Sequence, residues 1–334
     1  MKNIKQHIKI AHSATIILCS LITLMQQSCG ETIIPEEQEY AISMSATSAD
    51  MNTSRALVTD NPTLQATNLG VYAYKQLADG TQTTVFNNTK LTYAADKGWD
   101  YSPTRYWDKA ATKYCFVAYS PHSNSVNYSN HTLTISNIPY WQVIDNNVVD
   151  YLVANSSGSA NHYLSTSKSV NFYFSHILSQ LVINIKKDEK LSQTYLLKQV
   201  DYLNVPQGGD AKATYTLPQE GTATMSEITL LNADATLTQF TDANGQAVEA
   251  TSNIPLPHLV VPFTLSDSKQ VQVKVTYTVA GTERNKTVDT GITKLEAGKR
   301  YELTLTFKGA EIVPSLEIKN WEDVTVDEDP KYNW

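Results

Sequence analysis

Two residues near the N-terminus have the type and the surroundings that covalent processing requires. Cys29 follows a short apolar run and has the small neighbours Ser28 and Gly30, as at a site where a signal peptide is removed and the cysteine is lipidated. Arg55 lies in the polar run MNTSRALVTD, and the chain has only three other arginines. Because proteolysis concentrates in polar, exposed segments, an arginine-specific protease would find a favoured bond between Arg55 and Ala56.

Each position also has a simpler interpretation. Cys29 could be a cysteine that happens to follow a plain secretory signal, and Arg55 could be an ordinary solvated surface charge. Taken without any other information, the residues around Arg55 favour the solvated charge.

The segment before Cys29 has the layout of an export signal. Lys2, Lys5 and Lys9 precede the apolar run ATIILCSLITLM, which is too short to span a bilayer permanently. We therefore expect residues 1–28 to be a lipoprotein-type signal peptide. The precursor would then be attached to a membrane through lipid on Cys29.

The remaining cysteine and histidines do not form a recognisable reactive group. Cys115 has no cysteine left to pair with, and it lies in the strand-like run KYCFVAY, where we expect a buried thiol. His176 is expected to be a hydrogen-bonded core histidine. The other histidines are scattered singly, without the spacing of metal sites. We expect no enzyme, no metal and no cofactor.

One aromatic cluster has two interpretations. The run GWDYSPTRYW contains Trp99, Tyr101, Tyr106 and Trp107, which could form an aromatic platform for a carbohydrate. Packing at the rim of a core is favoured, because tyrosine and tryptophan are common in strands and at their ends.

Composition restricts the class of protein. The chain has 334 residues, a formal charge of −7 and 41% hydrophobic residues, which is enough for two domains with buried cores. The mild negative charge argues against a nucleic-acid partner, which would call for a basic face.

Alternating apolar and polar residues predict an all-β fold. The run VQVKVTYTV places Val273, Val275 and Tyr277 on one face, and RYELTLTFK does the same with Leu303 and Leu305. Such runs recur between clusters of turn-forming residues with no convincing helix after residue 60. This pattern is typical of antiparallel β-sandwiches.

The centre of the chain indicates a division into two parts. A polar, serine-rich segment precedes VNFYFSHILSQLVINIKK, in which the apolar parity changes, so a bulge or bend is expected between Ser175 and Gln180. We predict an N-terminal domain at 56–167 and a C-terminal domain at 168–334. Weak similarity of strand order between the halves suggests a duplication, with AISMSATSA and ILSQLVINIK as equivalent first strands.

Several motifs together carry a family resemblance: SRALVTDN, RYWDKAATKYCFVAYSP, DYLVA, FYFSHILSQLVINI, LEAGKRYELTLTF and IKNWEDV. In this order, after a lipoprotein-like signal, they resemble the fimbrillin family of Bacteroidota, the subunits of type V pili. The resemblance covers nearly the whole chain. It implies two tandem transthyretin-like antiparallel β-sandwich domains.

The resemblance also implies a route of maturation. A lipidated precursor would be cut after Arg55 by an arginine-specific protease, which removes a propeptide at 29–55. The propeptide would carry a removable first strand, in which Ile42, Met44 and Ala46 alternate with serines. A strand of another subunit would fill the groove. The donor candidates lie in the acidic C-terminal tail: Val324, Val326, Tyr332 and Trp334.

The first hypothesis is therefore a structural subunit of surface fimbriae, with other fimbrial subunits, the processing protease and the outer membrane as partners. The alternative is a lipid-anchored surface adhesin, or a tip or anchor component of a fimbria that binds host or bacterial ligands. A tip subunit could lack a donating tail, and an anchor subunit could retain its lipidated N-terminus.

Overall fold

A computed structural model describes residues 40–48, 61–145, 147–159, 169–206, 211–216, 224–228, 235–266 and 268–321. Within these ranges the regular secondary structure is β-strand apart from one short helix, which confirms the all-β prediction. The predicted domain boundary at residue 167 lies in an undescribed range, and the division into two tandem domains stays a prediction.

The described elements up to His176 build the first half of the chain. In chain order they are β1 Met44–Ser48, α1 Asn61–Gln65, β2 Leu69–Leu77, β3 Gln82–Ala94, β4 Gly98–Asp100, β5 Ala111–Ser120, β6 Asn127–Ser129, β7 Thr132–Ile138, β8 Trp141–Val143, β9 Leu152–Ser159 and β10 Val170–His176.

The described elements after His176 build the second half. They are β11 Ser179–Lys187, β12 Tyr195–Val205, β13 Ala211–Thr216, β14 Thr224–Ile228, β15 Ala235–Ala247, β16 Ile254–Val260, β17 Phe263–Thr264, β18 Gln272–Val279, β19 Thr282–Asp289, β20 Lys294–Leu295, β21 Lys299–Lys308 and β22 Glu311–Asn320.

Seven strands of the first half form a closed barrel in the order β1-β10-β9-β5-β2-β3-β4. The pairing of β1 with β10 is parallel, and the other strand pairs of the barrel are antiparallel. Inward-facing apolar residues fill the interior, among them Val71, Phe86, Phe116 and Phe172. Leu64 of α1 is fully buried in the same core.

Two sheets of the second half enclose another core. One has the order β22-β21-β11-β16-β8 and the other β15-β12-β18-β19. The predicted alternation is confirmed, because Val273, Val275 and Tyr277 of β18 are buried, as are Leu303 and Leu305 of β21. Alternate residues of strands from both sheets thus form the apolar layer of a β-sandwich.

Strands from the first half also pair with strands from the second. β7 pairs with β13, and β8 pairs with β16, all antiparallel. A third apolar cluster joins the halves, with Tyr119, Leu133, Leu259 and Trp321 among its members. The two halves are therefore connected by backbone hydrogen bonds as well as by apolar packing.

The predicted irregularity between Ser175 and Gln180 is confirmed. β10 ends at His176, the buried Ile177 and Leu178 follow, and β11 begins at Ser179. The inward residues of β10 belong to the barrel core, whereas those of β11 belong to the second core. The change of parity therefore marks the point where the chain passes from one sheet to another.

His258 of β16 is a buried histidine whose burial has a measurable consequence. Its side chain is in contact with the rings of Trp141 and Tyr202, and its Nδ1 lies 3.1 Å from the carbonyl oxygen of Leu256. Burial lowers the pKa of His258 to about 4, and the hydrogen bond to Leu256 opposes this shift only in part. His258 is therefore neutral in the folded protein at neutral pH.

This lowered pKa makes the free energy of unfolding depend on pH. The unfolded chain, with an ordinary histidine pKa of about 6.5, binds the proton more tightly than the folded chain. Stability is therefore full above about pH 6.5 and falls as the pH approaches 4. Between pH 7.5 and 5 we expect His258 to lower the free energy of unfolding by about 2 kcal/mol.

Denaturant unfolding of the wild type and of His258→Leu at the two pH values measures this contribution. All other ionisable groups are common to both proteins, so their contributions cancel in the comparison. Equal losses of stability in the two proteins between pH 7.5 and 5 would contradict the assignment.

Candidate functional site at the first strand

β1 occupies the closing position of the barrel, between β10 and β4. It pairs in parallel with β10 over five residues, from Met44 opposite Val170 to Ser48 opposite Phe174. On its other side, one antiparallel pair joins Met44 to Trp99 of β4. Loss of β1 would therefore leave one long unpaired edge on β10 and a gap in the barrel wall.

Alternate residues of the first strand face the barrel core. Ile42, Met44 and Ala46 have exposed fractions of 2%, 6% and 9%, whereas Ser43 is exposed and Ser45 is half-buried. The first three are the residues that the sequence pattern predicts for the removable strand. Burial of Ile42 and Met44 contributes about 1.5–3 kcal/mol each.

Besides the side-chain contact of Ser45 with Asn171, the polar contacts of this strand are made through its backbone. The Ile42 amide donates to the Arg105 carbonyl over 2.8 Å, and the Tyr101 hydroxyl donates to the Ile42 carbonyl over 2.6 Å. The Val170 amide donates to the Ser43 carbonyl over 2.8 Å. Because these bonds use main-chain groups of the strand, a strand of another sequence could make them. Selectivity for an occupant would come from the fit of its apolar side chains.

Burial also changes the acidity of the Tyr101 hydroxyl, which donates to the carbonyl of Ile42 at the start of this strand. It raises the pKa of Tyr101, and a backbone hydrogen bond with Arg105 offsets part of the rise. The ring of Tyr101 packs edge-on against Phe86, with 5.0 Å between the ring centroids. Tyr101 therefore stays a neutral donor fixed by the core.

The aromatic cluster of residues 99–107 lines this site and does not form an exposed platform. Trp99 and Trp107 are buried in the barrel core, Tyr101 packs against that core, and Tyr106 is about half exposed. The favoured interpretation, packing at the rim of the core, is confirmed. The cluster supports β1 from the side of β4.

A second structural feature fixes the end of the described chain. Trp321 follows β22, its amide donates to the Gly298 carbonyl over 2.8 Å, and its ring stacks on His176 with 3.9 Å between centroids. His176 Nδ1 lies 3.0 Å from Asp150 Oδ1, and both side chains are buried. The predicted core role of His176 is confirmed. The tail therefore begins directly after a buried anchor.

Several predicted site residues lie outside the described residues: Cys29, Arg55, Ala56, Val324, Val326, Tyr332 and Trp334. The structure describes the flanks of two of these segments. Ser48 and Asn61 flank the segment that contains Arg55, and Trp321 precedes the tail. Lipidation, cleavage and strand donation stay predictions.

Other reactive groups of the described residues do not gather into a site. Cys115 is a free, buried thiol, and burial raises its pKa, which disfavours the reactive thiolate. Within the described ranges no three histidine, cysteine or acidic side chains lie together as metal ligands. In the same ranges no helix has the length and apolarity to cross a membrane.

Sequence reasoning missed the partner of β1. The residues Val170–Phe174 that pair with it are 126 positions away, and a strand pattern states which face is buried but not which strand lies beside it. Both segments alternate apolar and polar residues, and this shared alternation was the signal in the sequence that could have suggested their pairing. No pattern in the sequence could have predicted the hydrogen bond from the Tyr101 hydroxyl to the Ile42 carbonyl.

The packing of the first strand predicts how a core substitution acts. Ile42→Ala should lower the local stability of β1 by about 2–5 kcal/mol, because it removes buried methylenes and leaves a cavity. Hydrogen exchange of the amides of Val170–Phe174 reports this loss as faster exchange. Ser43→Ala, on the exposed face, is the control and should change stability by less than about 0.5 kcal/mol. Unchanged exchange in Ile42→Ala would contradict the packing role of β1.

Comparisons with known proteins agree with this fold. The chain is similar to a fimbrial protein of Bacteroides vulgatus ATCC 8482, with 16% identity, 85% of this chain and 100% of that chain covered, and a TM-score of 0.52. It is also similar to a protein of Bacteroides uniformis ATCC 8492 assigned to cell adhesion, with 21% identity, coverages of 86% and 99%, and a TM-score of 0.52.

No curated protein matches the chain. A family model described as fimbrillin-like matches residues 54–321, which begin immediately before Arg55 and end at Trp321. That match covers most of the chain, and on this evidence the chain belongs to the fimbrillin-like family.

Proposed function

We propose that this chain is a fimbrial subunit that joins its neighbours by donor-strand exchange. The precursor is exported as a lipoprotein through Cys29, and a protease cuts between Arg55 and Ala56. The segment 29–55 then leaves with β1, and the tail of another subunit takes its place beside β10. The observation that carries the proposal is the burial of Ile42 and Met44, which precede Arg55, in a barrel that the later strands complete.

The contacts of β1 favour an exchangeable strand. Apart from one pair with β4, β1 is held by β10 and by main-chain hydrogen bonds near its start. A vacated site would offer an apolar groove and the unpaired backbone groups of Val170–Phe174, which together make a template for an incoming strand. Until cleavage, β1 itself blocks that template, so assembly would wait for export.

The tail has suitable length and spacing for a donor. Val324, Val326, Tyr332 and Trp334 have the same parity, so in a strand they would lie on one face. The thirteen residues after Trp321 could extend over about 43 Å, whereas the five residues of β1 span about 17 Å. The acidic residues between them would discourage insertion of the tail into its own subunit or non-specific pairing.

A reversible lock tests whether β1 must leave. The side chains of Ser45 and Asn171 are in hydrogen-bond contact across the parallel pair, so Ser45→Cys with Asn171→Cys should form a disulfide between β1 and β10. We expect the oxidised double variant to be cleaved after Arg55 but to form no SDS-resistant ladder. Reduction should release β1 and restore the ladder.

The lock has three controls. Ser45→Cys alone should assemble like the wild type, because it cannot form the crosslink. Arg55→Lys should resist an arginine-specific protease and form no ladder, although it keeps the charge. Deletion of 322–334 should abolish ladders without affecting cleavage.

Ladders from the oxidised double variant would contradict the proposal. Surface protein that keeps an acylated Cys29 and forms no ladder, in the wild type as in the variants, would favour the lipid-anchored adhesin.

A further inference from the structure

A cavity on the first half of the molecule has no described lining residue in β1, β4 or β10. It has a volume of about 320 Å³ and is lined by parts of β2, β3 and the hairpin formed by β6 and β7. Ligand sites in proteins commonly have volumes of about 300–1,000 Å³, so this cavity suits a small ligand. Tyr74, Tyr128 and His131 supply aromatic walls, and Asn87 and Asn130 lie at the exposed rim.

Irregular pairing between β2 and β3 accompanies the cavity. Ala73 pairs with Phe86, but its neighbour Tyr74 pairs with Thr84, and a further shift lies between Val71 and Ala73. Each shift inserts an extra residue on the β3 side, which bends that strand locally. The hairpin turn of β6 and β7 lies at this bend and contributes Asn130 and His131 to the lining.

The turn holds His131 in an uncommon backbone conformation. Asn130 and His131 both have positive φ angles, 47° and 61°, as the two central residues of a type I′ hairpin require. Glycine is the usual residue at such a position, whereas a histidine with positive φ is uncommon. The His131 ring packs edge-on against Tyr74 with 5.5 Å between centroids, and its Nδ1 is 3.3 Å from the Tyr74 hydroxyl.

Among the described residues that line the cavity, several are polar and none is an acidic side chain, lysine or arginine. Gln82, Asn87 and Asn130 offer amide donors and acceptors, and threonine and serine hydroxyls lie beside them. Burial raises the pKa of Tyr74 and raises that of Tyr128 to about 12, so both phenols are neutral at physiological pH. An anionic ligand would find no opposite charge here.

We propose that this cavity binds one ring of a neutral saccharide. Amide and hydroxyl groups at the rim match the hydroxyl groups of a sugar, and the aromatic walls match the apolar face of a pyranose ring. The proposal goes beyond assembly and does not depend on it, because every lining residue lies within one subunit. In a fimbria the same cavity would be repeated along the fibre, and weak single sites would gain avidity.

Saturation-transfer NMR with the full-length, unassembled protein tests the proposal. The probes are the methyl glycosides of galactose, mannose, fucose and N-acetylglucosamine, with the methyl glycoside of N-acetylneuraminic acid as the anionic comparison. At least one neutral glycoside should bind. Asn87→Ala and His131→Gly should each weaken that binding about tenfold. Glycine suits the positive φ at position 131, so the second variant removes the ring without straining the turn.

Asn285→Ala is the matched control, because Asn285 is an exposed asparagine of β19 that does not line the cavity. It should bind the glycoside like the wild type, and thermal melts should show that all variants remain folded. The proposal would be overturned by the absence of binding to all four neutral glycosides or by binding of the anionic glycoside alone. Equal binding by the wild type and both cavity variants would also overturn it.

Discussion

Closure of the first barrel by β1 is the interaction on which the rest of the first half depends. Without β1, the five residues from Val170 to Phe174 would have an open edge, and the aromatic core behind them would face water. In the second half the corresponding strand has no open edge. There β11 pairs in parallel with β21 on one side and antiparallel with β16 on the other. The two segments suggested as equivalent first strands, β1 and β11, thus each make one parallel pair, and the duplication itself stays a prediction.

The two halves differ in how their first strands are held. β11 follows β10 directly and lies in the middle of a five-stranded sheet, so it cannot leave without unfolding the second core. β1 comes first in the described chain, has one long pairing, and is held mainly through main-chain atoms, with one side-chain contact between Ser45 and Asn171. Membership of the fimbrillin-like family makes the chain a fimbrial structural subunit at the cell surface. Under the proposed strand exchange, the placement of β1 would make assembly depend on cleavage.

The parts of the fold that depend on local pattern could be predicted from the sequence. The alternation in β18 and β21 identifies their buried faces, because a strand with one face in a core must alternate. The parity change after His176 likewise predicts the passage between sheets. Pairing partners could not be predicted, since backbone hydrogen bonds carry no sequence information. The contacts of β1 with β10 and of β7 with β13 are therefore visible only in the structure. The polar cavity depends on register shifts and on a turn at His131, which alternation does not encode.

The central claim is that a subunit enters a fibre only after it has lost β1. Mass spectrometry of subunits dissociated from purified fibres measures this directly, because it identifies the N-terminal residue of the assembled chain. The account predicts subunits that begin at Ala56 and carry no lipid. Fibres built from chains that retain Met44–Ser48 and an acylated Cys29 would contradict it.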